Sequence, residues 1–214
     1  MSTIAIIDYG MGNLHSIAKA VEHVAEDNTR VLISSQPDKI LSADRVVFPG
    51  VGGIGHTMEE LTRTGLGDVA LQAADSKPML CICVGMQALF ERSEENNGTA
   101  CLGLIPGEVR RFPEDLSGAD GSRLKVPHMG WNQVHHNDHP LWQGIEQDSR
   151  FYFVHSYYTE PAETRLQAAT SEYGFEFCCA LARENLFAVQ FHPEKSQRVG
   201  LTLLQNFSRW DGLA

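Results

Sequence analysis

The sequence contains no apolar run of the roughly 20 residues that a membrane span requires. It also has no excess of positive charge, because 27 acidic residues outweigh 17 lysines and arginines and give a formal net charge of -10. These absences argue against an anionic membrane and against nucleic acid as the main partner. The N-terminus lacks the basic and then apolar pattern of a secretory signal, so we expect a cytoplasmic protein.

Cysteine is scarce and odd in number, with five residues in a chain of 214. An odd set fits a reducing compartment in which thiols are buried or catalytic rather than paired in disulfides. No proline- or serine-rich linker and no internal repeat divides the chain. Since 43% of the residues are apolar, one domain over residues 1–214 would have an ample core, and we expect a single domain.

The first half of the chain alternates short apolar runs with segments of helical periodicity, which is typical of a parallel sheet covered by helices. Predicted strands cover Ile4–Ile7, Arg30–Ile33 and Arg45–Phe48, and predicted helices cover Leu14–Val24 and residues 57–74 with an interruption near Gly65 and Gly67. The second half carries shorter β-rich segments, at Gly107–Arg111, Phe151–Tyr158, Arg165–Thr170 and Phe177–Ala182. We therefore predict a three-layer α/β fold with a mostly parallel central sheet, flanking helices and a small antiparallel β extension.

Cys83 lies where an apolar strand pattern, residues 78–82, turns through Val84 and Gly85 into a helical pattern. Such a turn presents the sulfur at the end of a sheet and the start of a helix. Backbone N–H groups and the positive end of the helix dipole favour the thiolate there. Cys83 is therefore the candidate nucleophile.

A second apolar segment, starting at Leu186, ends with His192 and Glu194. Residues i and i+2 of a strand face the same way, so both side chains are expected to point together at the top of the sheet. His192 would transfer the proton and Glu194 would hold the imidazole in the required tautomer. A cysteine, a histidine and an acid are sufficient for covalent acyl transfer, and this chemistry requires neither a metal nor a cofactor.

The developing oxyanion would need backbone donors. The N–H of Val84 is one, and the glycine-rich loop at residues 49–53 offers Val51 and Gly52 as others, since glycine lets backbone approach a ligand closely. A phosphate-binding loop is a weaker interpretation, because no Gly-Lys-Ser/Thr follows.

The Cys83 turn, the glycine-rich loop and the His192-Pro193-Glu194 segment together resemble the class I (triad) glutamine amidotransferases, whose fold is flavodoxin-like. Longer motifs resemble, more narrowly, the glutaminase subunits of imidazole glycerol phosphate synthases of histidine biosynthesis. These motifs are Asp8-Tyr9-Gly10-Met11-Gly12-Asn13-Leu14, Val126-Pro127-His128-Met129-Gly130-Trp131-Asn132, Phe151-Tyr152-Phe153-Val154-His155-Ser156-Tyr157-Tyr158 and Gln190-Phe191-His192-Pro193-Glu194-Lys195-Ser196.

The resemblance implies that L-glutamine is hydrolysed through a thioester and that ammonia passes to a separate (β/α)₈-barrel cyclase subunit. It also implies that Gln87 and Glu95 hold the amino-acid end of glutamine, with Gly52, Ser156 and Tyr157 lining the pocket. Asn13, Trp131 and Lys195 would lie toward the cyclase interface and the ammonia route. Two departures stand out: Cys81 occupies a position where many relatives of this class carry glycine, and residues 113–124 form a longer stretch than the family leads one to expect.

Other residues invite weaker interpretations. Cys178 and Cys179 in an apolar strand, and also Cys101, are expected to pack rather than to react. The cluster at residues 135–139 contains three histidines, but no Cys or Glu completes a recognised zinc spacing, so a polar turn explains it at least as well. His128 and His155 are expected to be structural or pocket-lining. Residues 113–122 are expected to form a surface loop.

Two other functions remain open on the residues alone. The same triad could supply ammonia to vitamin B6, folate or purine synthesis, or serve a γ-glutamyl thiol hydrolase. Alternatively, the chain could be a silent scaffold that only regulates a partner, although the intact Cys83, His192 and Glu194 argue against that interpretation.

Overall fold

The structure is a computed structural model that describes residues 2–118 and 121–213. Its strands are β1 (Ser2–Ile7), β2 (Thr29–Ser34), β3 (Arg45–Phe48), β4 (Met79–Ile82), β5 (Phe90–Ser93), β6 (Thr99–Ala100), β7 (Ile105–Arg111), β8 (His128–His136), β9 (Ser149–His155), β10 (Tyr157–Pro161), β11 (Gln167–Glu172), β12 (Glu176–Arg183) and β13 (Leu186–Val189). Its α-helices are α1 (Leu14–Val24), α2 (Pro37–Leu41), α3 (Ile54–Thr64), α4 (Leu66–Ser76), α5 (Val84–Gln87) and α6 (Gln197–Arg209).

The centre of the fold is a parallel sheet in the order β2-β1-β3-β4-β13. This is the doubly wound order of flavodoxin-like folds, in which functional sites lie beyond the carboxyl ends of the strands. In β4 all four residues are buried, as are all four in β13, which explains their uninterrupted apolar sequences. The predicted parallel α/β core is confirmed.

Antiparallel strands extend this sheet beyond β13, and the predicted β extension is confirmed. β12 runs antiparallel to β13, and β10 and β7 follow it outward. A branch through β11, β8 and β9 leaves from β12. The change from parallel to antiparallel pairing therefore falls between β13 and β12, beside the strand that leads to His192.

Two predicted strands differ from the structure. Phe151–Tyr158 is not continuous, because the chain breaks at Ser156 between β9 and β10. The strand predicted at Arg165–Thr170 begins later, since residues 164–166 form a 3₁₀ turn before β11. The rest of the second-half strand prediction is confirmed.

The helix predictions hold well for the first half. α1 has the predicted bounds, and the predicted interruption of the next helix is confirmed at Gly65, where φ is +71° between α3 and α4. Glycine adopts this left-handed conformation without steric cost, which ends one helix and starts the next. α2 was not predicted, although Pro37 at its first position is a recognised start signal.

The cysteines follow the packing prediction. Cys178 and Cys179 are buried in β12, and Cys101 is half-buried. Cys81 is fully buried in β4, and burial raises the pKa of its thiol far above the ordinary value. A neutral core thiol is inert, so Cys81 is a packing residue.

Within the described residues, no helix is both long and apolar enough to cross a bilayer. The predicted surface loop at residues 113–122 contains no helix among its described residues. It folds back on itself through a bridge between Ser117 and Arg123, with Leu116 buried beneath it. Residues 119 and 120 of that prediction lie outside the described residues.

Candidate active site

Cys83 occupies a sharp turn between β4 and α5. Its backbone has φ +56° and ψ -115°, a conformation that L-residues rarely adopt and that persists only where surrounding structure enforces it. The Cys83 N–H donates to the carbonyl of Val189 at 2.7 Å, which ties the turn to β13. α5 is only four residues long, so its aligned peptide dipoles stabilise a thiolate less than the sequence led us to expect.

The glycine-rich loop packs directly on this turn because two glycines meet there. A Cβ atom on Gly85 would lie 2.3 Å from the carbonyl oxygen of Phe48, and one on Gly50 would lie 2.4 Å from the Gly85 nitrogen. Neither distance is sterically possible, so only glycine fits at both positions. This contact brings the loop of Val51 and Gly52 beside Cys83.

Tyr9 fixes the start of the same loop. Its hydroxyl donates to the carbonyl of Pro49 at 3.0 Å, and its ring packs edge-on against Phe48. The side chain is buried, and burial raises its pKa far above the ordinary value, so the hydroxyl keeps its proton and remains a donor. Sequence reasoning missed Tyr9, although it lies within the first of the quoted motifs.

His192 and Glu194 approach each other by a route that differs from the prediction. β13 ends at Val189, and residues 193–195 form a 3₁₀ turn, so the argument from strand alternation is wrong. Pro193 begins this turn because its fixed φ suits the first helical position. The turn brings His192 Nδ1 to 2.9 Å from Glu194 Oε1, with both side chains buried.

The histidine backbone is held on two sides. The His192 N–H donates to the carbonyl of Tyr152 at 2.9 Å, and the Ser196 hydroxyl donates to the carbonyl of His192 at 2.6 Å. The same hydroxyl accepts the N–H of Tyr152 at 3.0 Å. Ser196 therefore fastens the histidine turn to β9.

The imidazole of His192 hydrogen-bonds Glu194 and lines the same cavity as the sulfur of Cys83. Burial lowers its pKa, but its interactions with Cys83 and Glu194 raise it more, to about 10. The ring therefore favours the imidazolium form at neutral pH. Within the described residues, the second oxygen of Glu194, Oε2, is buried and has no hydrogen-bond partner.

Cys83, His192 and the glycine-rich loop line one cavity of about 420 Å³. It contains all of the predicted pocket and nucleophile residues, together with others that the sequence did not single out. The lining residues are Val51, Gly52, Gly53, Cys83, Val84, Gln87, Glu95, Pro127, Val154, His155, Ser156, Tyr157, His192 and Lys195.

Glu95 and Gln87 already have partners within the protein. Glu95 Oε2 accepts the N–H of Ile54 at 3.2 Å, at the start of α3 and directly after the glycine-rich loop. The side-chain nitrogen of Gln87 donates to Gln190 Oε1 at 2.9 Å and to the carbonyl of Tyr157 at 3.2 Å. Within the described residues, the side-chain oxygen of Gln87 has no hydrogen-bond partner and is left to contact a substrate.

Two of the residues predicted to face a partner, Trp131 and Lys195, both contact Tyr152. Trp131 packs edge-on against Tyr152 and is 41% exposed, and Lys195 Nζ lies 5.9 Å above the centre of the Tyr152 ring. Met129, on the same strand as Trp131, is 66% exposed. Asn13 directly precedes α1, where its carbonyl accepts the N–H of Ile17.

The histidine-rich turn at residues 135–139 has structural contacts. His136 stacks on Trp142 with ring centres 4.8 Å apart, and His139 Nδ1 accepts the N–H of Leu141 at 3.2 Å. Over residues 2–118 and 121–213, no three side chains of His, Cys, Asp or Glu lie close enough together to hold a metal ion.

Gln190 is a site residue that the sequence prediction did not single out. Its side-chain nitrogen donates to Cys83 Sγ at 3.8 Å, and its oxygen accepts from Gln87. Its position two residues before His192 was visible in the sequence, but its contact with the sulfur depends on the β4–β13 pairing.

Comparison with known proteins agrees with this geometry. The family model for class-I glutamine amidotransferases matches residues 5–209. A solved structure described as one subunit of a GMP synthase from Thermoplasma acidophilum has a TM-score of 0.69 and 19% identity, covering 97% of this chain and 92% of its own. At that identity it supports the fold alone. The chain belongs to the class-I glutamine amidotransferase family, and it is an enzyme of that class.

Its full-length relatives narrow the family further. The chain is 61% identical to the imidazole glycerol phosphate synthase subunit HisH of Methylococcus capsulatus, covering 99% of this chain and 98% of that protein. It is 57% identical to the HisH subunit of Nitrosococcus oceani, covering all of both chains. Within its class, the chain therefore falls in the HisH family of glutaminase subunits, which serve histidine biosynthesis.

Proposed function

We propose that this chain hydrolyses L-glutamine at Cys83 and delivers the ammonia to a separate (β/α)₈-barrel cyclase subunit, which makes imidazole glycerol phosphate and an aminoimidazole carboxamide ribonucleotide. The observation that carries the proposal is that Cys83 and His192 line one cavity and that Glu194 hydrogen-bonds the His192 ring. The three side chains come from the turn after β4 and from the turn after β13. The proposed place of the reaction is the cytoplasm.

In the first half-reaction, the sulfur of Cys83 attacks the side-chain amide carbon of glutamine. The N–H groups of Val84 and of the Val51–Gly52 loop stabilise the oxyanion that forms. The imidazolium of His192 gives its proton to the leaving nitrogen, so that ammonia departs and a thioester remains. Glu194 accepts a hydrogen bond from Nδ1 of the ring, which keeps the proton on Nε2 directed at the reacting atoms.

In the second half-reaction, neutral His192 accepts a proton from water, which attacks the thioester carbon. The carbon–sulfur bond breaks and glutamate leaves, its new carboxyl group losing a proton to solvent, while the proton taken from water stays on the Cys83–His192 pair. Glu95 binds the α-ammonium of glutamine, and Gln87, Gly52, Ser156 and Tyr157 complete the pocket. The proposal assigns the ammonia route and the cyclase contact to Asn13, Trp131 and Lys195.

The relatives named as synthase subunits support a partner of this kind, because each is one part of a larger enzyme. The exposed Trp131 and Met129 lie on β8 and offer apolar contact area. Aromatic anchors of this kind carry much of the binding energy at protein interfaces.

The test is a glutamine hydrolysis assay on the chain alone and with the cyclase and its nucleotide. We expect slow hydrolysis alone and strong activation by the complete complex. Replacing Cys83 with Ala should abolish glutamine use and leave cyclisation from free ammonia intact. Equal glutamate release with and without the partner would refute the coupling.

A matched control is Cys81→Ala, which alters the other thiol of the same strand. Because Cys81 is a fully buried packing residue, this variant should lose a little stability and keep glutamine hydrolysis. If Cys83→Ala kept glutamine use and Cys81→Ala lost it, the nucleophile would be assigned to the wrong sulfur.

A further inference from the structure

Two buried histidines, His128 and His155, form a hydrogen-bonded pair that the catalytic steps do not use. His128 begins β8 and His155 ends β9, and the two residues are direct partners in the antiparallel register. His128 Nδ1 lies 2.8 Å from His155 Nε2, and His155 Nδ1 lies 2.8 Å from the carbonyl oxygen of Tyr157. His155 also lines the glutamine cavity.

The partners at both ends determine where every proton in this pair lies. The carbonyl of Tyr157 can only accept, so His155 carries its proton on Nδ1 and accepts at Nε2. His128 must then donate from Nδ1. Its Nε2 faces Asn132 Nδ2 at 3.3 Å, and that nitrogen is a donor because it also meets the carbonyl of Glu172 at 2.7 Å. Both rings are therefore neutral, each protonated on Nδ1.

A charged ring would disrupt this arrangement. A second proton on either histidine would place two donors against each other, either at Asn132 or between the two rings. Burial acts in the same direction, since it lowers the pKa of His128 to about 4 and that of His155 to about 3. Tyr173 and Phe153 both stack on the His128 ring, with ring centres 4.0 Å and 4.9 Å away, and these contacts shield it from water.

From Tyr157 the hydrogen bonds continue to the nucleophile. The Tyr157 carbonyl also accepts from Gln87, which donates to Gln190, and Gln190 donates to Cys83 Sγ. The chain of contacts is thus unbroken from Asn132 to the sulfur. Asn132 neighbours the exposed Trp131 on β8, so the same chain leads from a surface strand to the reacting atom.

The geometry points to His128 and His155 as positioning residues of the glutaminase site: as a neutral relay they hold the Tyr157 carbonyl, Gln87 and Gln190 so that an N–H is directed at the sulfur of Cys83. This inference rests on the proposed function for its purpose, though the relay itself can be tested without glutamine. A donor directed at sulfur favours the thiolate. Loss of the relay leaves the two glutamine amides free to rotate away from it.

The first experiment follows alkylation of Cys83 by iodoacetamide at pH 7, read on the peptide that contains residue 83. His155→Leu, which removes both ring nitrogens, should slow this reaction about tenfold, the effect of losing roughly one hydrogen bond. His155→Gln keeps one acceptor and one donor and should restore most of the rate. His135→Leu changes an exposed histidine on β8 and should leave the rate unchanged.

An unchanged rate in His155→Leu, or an equal loss in the Leu and Gln variants, would overturn the relay.

The second experiment uses the unaltered chain, so it does not depend on whether a variant of the histidine pair folds. Imidazole ¹⁵N spectra of the whole chain at pH 7 should show two histidines protonated on Nδ1 alone, and a charged ring or an Nε2-protonated His155 would also overturn it. A chain that showed both expected results but did not hydrolyse glutamine would refute the proposed function and leave the relay standing.

Discussion

The proton held between His192 and Glu194 is the most consequential feature at the level of single residues. Both side chains are buried, and within the described residues the carboxylate hydrogen-bonds Nδ1 of the ring through Oε1 while Oε2 has no hydrogen-bond partner. The folded protein raises the pKa of His192 from its ordinary value of 6.5 to about 10. The charged ring therefore stabilises the fold in full below pH 6.5, and this stabilisation is lost as the pH rises through about 10. Proton donation from His192 to the leaving nitrogen should be lost over the same pH range, because the neutral ring has no second proton to give.

This predicts a pH effect for Glu194→Gln. Without the carboxylate charge, the pKa of His192 falls, so the alkaline decline of glutamine hydrolysis should move to lower pH while the acid side changes less. The measurement is kcat/KM against pH for the wild type and the variant, each in the complete complex. An alkaline limb at the same pH in both proteins would show that Glu194 does not set the protonation of His192.

Two substitutions of Glu95 separate the effect of its charge from the effect of its hydrogen bond to the N–H of Ile54. Glu95→Gln keeps an acceptor for the N–H of Ile54 but loses the charge that would pair with the glutamine ammonium. Since hydrogen bonds to charged groups contribute roughly 1.5–3 kcal/mol, KM for glutamine should rise about 10- to 100-fold with kcat nearly retained. Steady-state kinetics of the complex would measure both constants.

Glu95→Ala should differ, because it also releases the start of α3, directly after the oxyanion loop. In this variant kcat should fall as well as KM rise. A variant with unchanged KM would place Glu95 outside the substrate site.

At the level of elements, the decisive feature is the contact between the glycine-rich loop and the turn that starts α5. Local patterns predicted both segments, but not that their backbones touch at Gly50 and Gly85. Likewise, the proximity of His192 and Glu194 was expected for a reason that proved wrong, since a 3₁₀ turn and not a strand produces it. Such contacts depend on how segments distant in sequence pack, which no short window of residues contains.

Gly85→Ala tests this contact. The added methyl group would meet the Phe48 carbonyl, so the turn and the loop must separate, at a cost of roughly 1–3 kcal/mol in unfolding free energy. Displacement of an oxyanion donor should also lower kcat by about 10²-fold or more. Thermal unfolding and glutamine hydrolysis would be measured side by side.

Gly65→Ala is the matched control, because nothing lies within 4 Å of its added carbon although φ is +71°. It should lose about 1 kcal/mol of stability from backbone strain and keep its activity. If both variants lost activity equally, the effect would come from general destabilisation and not from the loop contact.

For the whole molecule, the sequence was sufficient to predict the parallel sheet, the bounds of α1 and the β extension, because each depends on the apolar periodicity of one segment. The triad residues were identifiable for the same reason, since each follows such a segment. The relay through His128, His155 and Gln190 was not, because those residues come from three strands or strand ends whose pairing the sequence does not state. All described strands share one sheet, and a single domain remains our prediction.

The exposed aromatic surface is also a property of the whole molecule. Trp131→Ala should weaken binding of the cyclase by roughly 2 kcal/mol or more, or about 30-fold in Kd, as expected for a tryptophan anchor. Leu213→Ala is the control, because Leu213 is 70% exposed but lies at the other end of the sheet. Its neighbour Gly212 packs near Pro78 and Asn185, which precede β4 and β13. Titration calorimetry would compare the two variants, and equal effects would place the interface elsewhere.

The short pairing of β10 with β12 has one further consequence. The nucleophile and its acid belong to the parallel side, whereas Ser156, Tyr157 and the histidine pair belong to the antiparallel side, and β10 meets β12 at the single pair Thr159 and Cys178. A contact between two strands that rests on one residue pair bends more easily than the sheet on either side of it. Small rotations about it would widen or narrow the glutamine cavity and would reach the sulfur through the hydrogen bonds of Tyr157, Gln87 and Gln190, so a protein docked on this side would alter turnover.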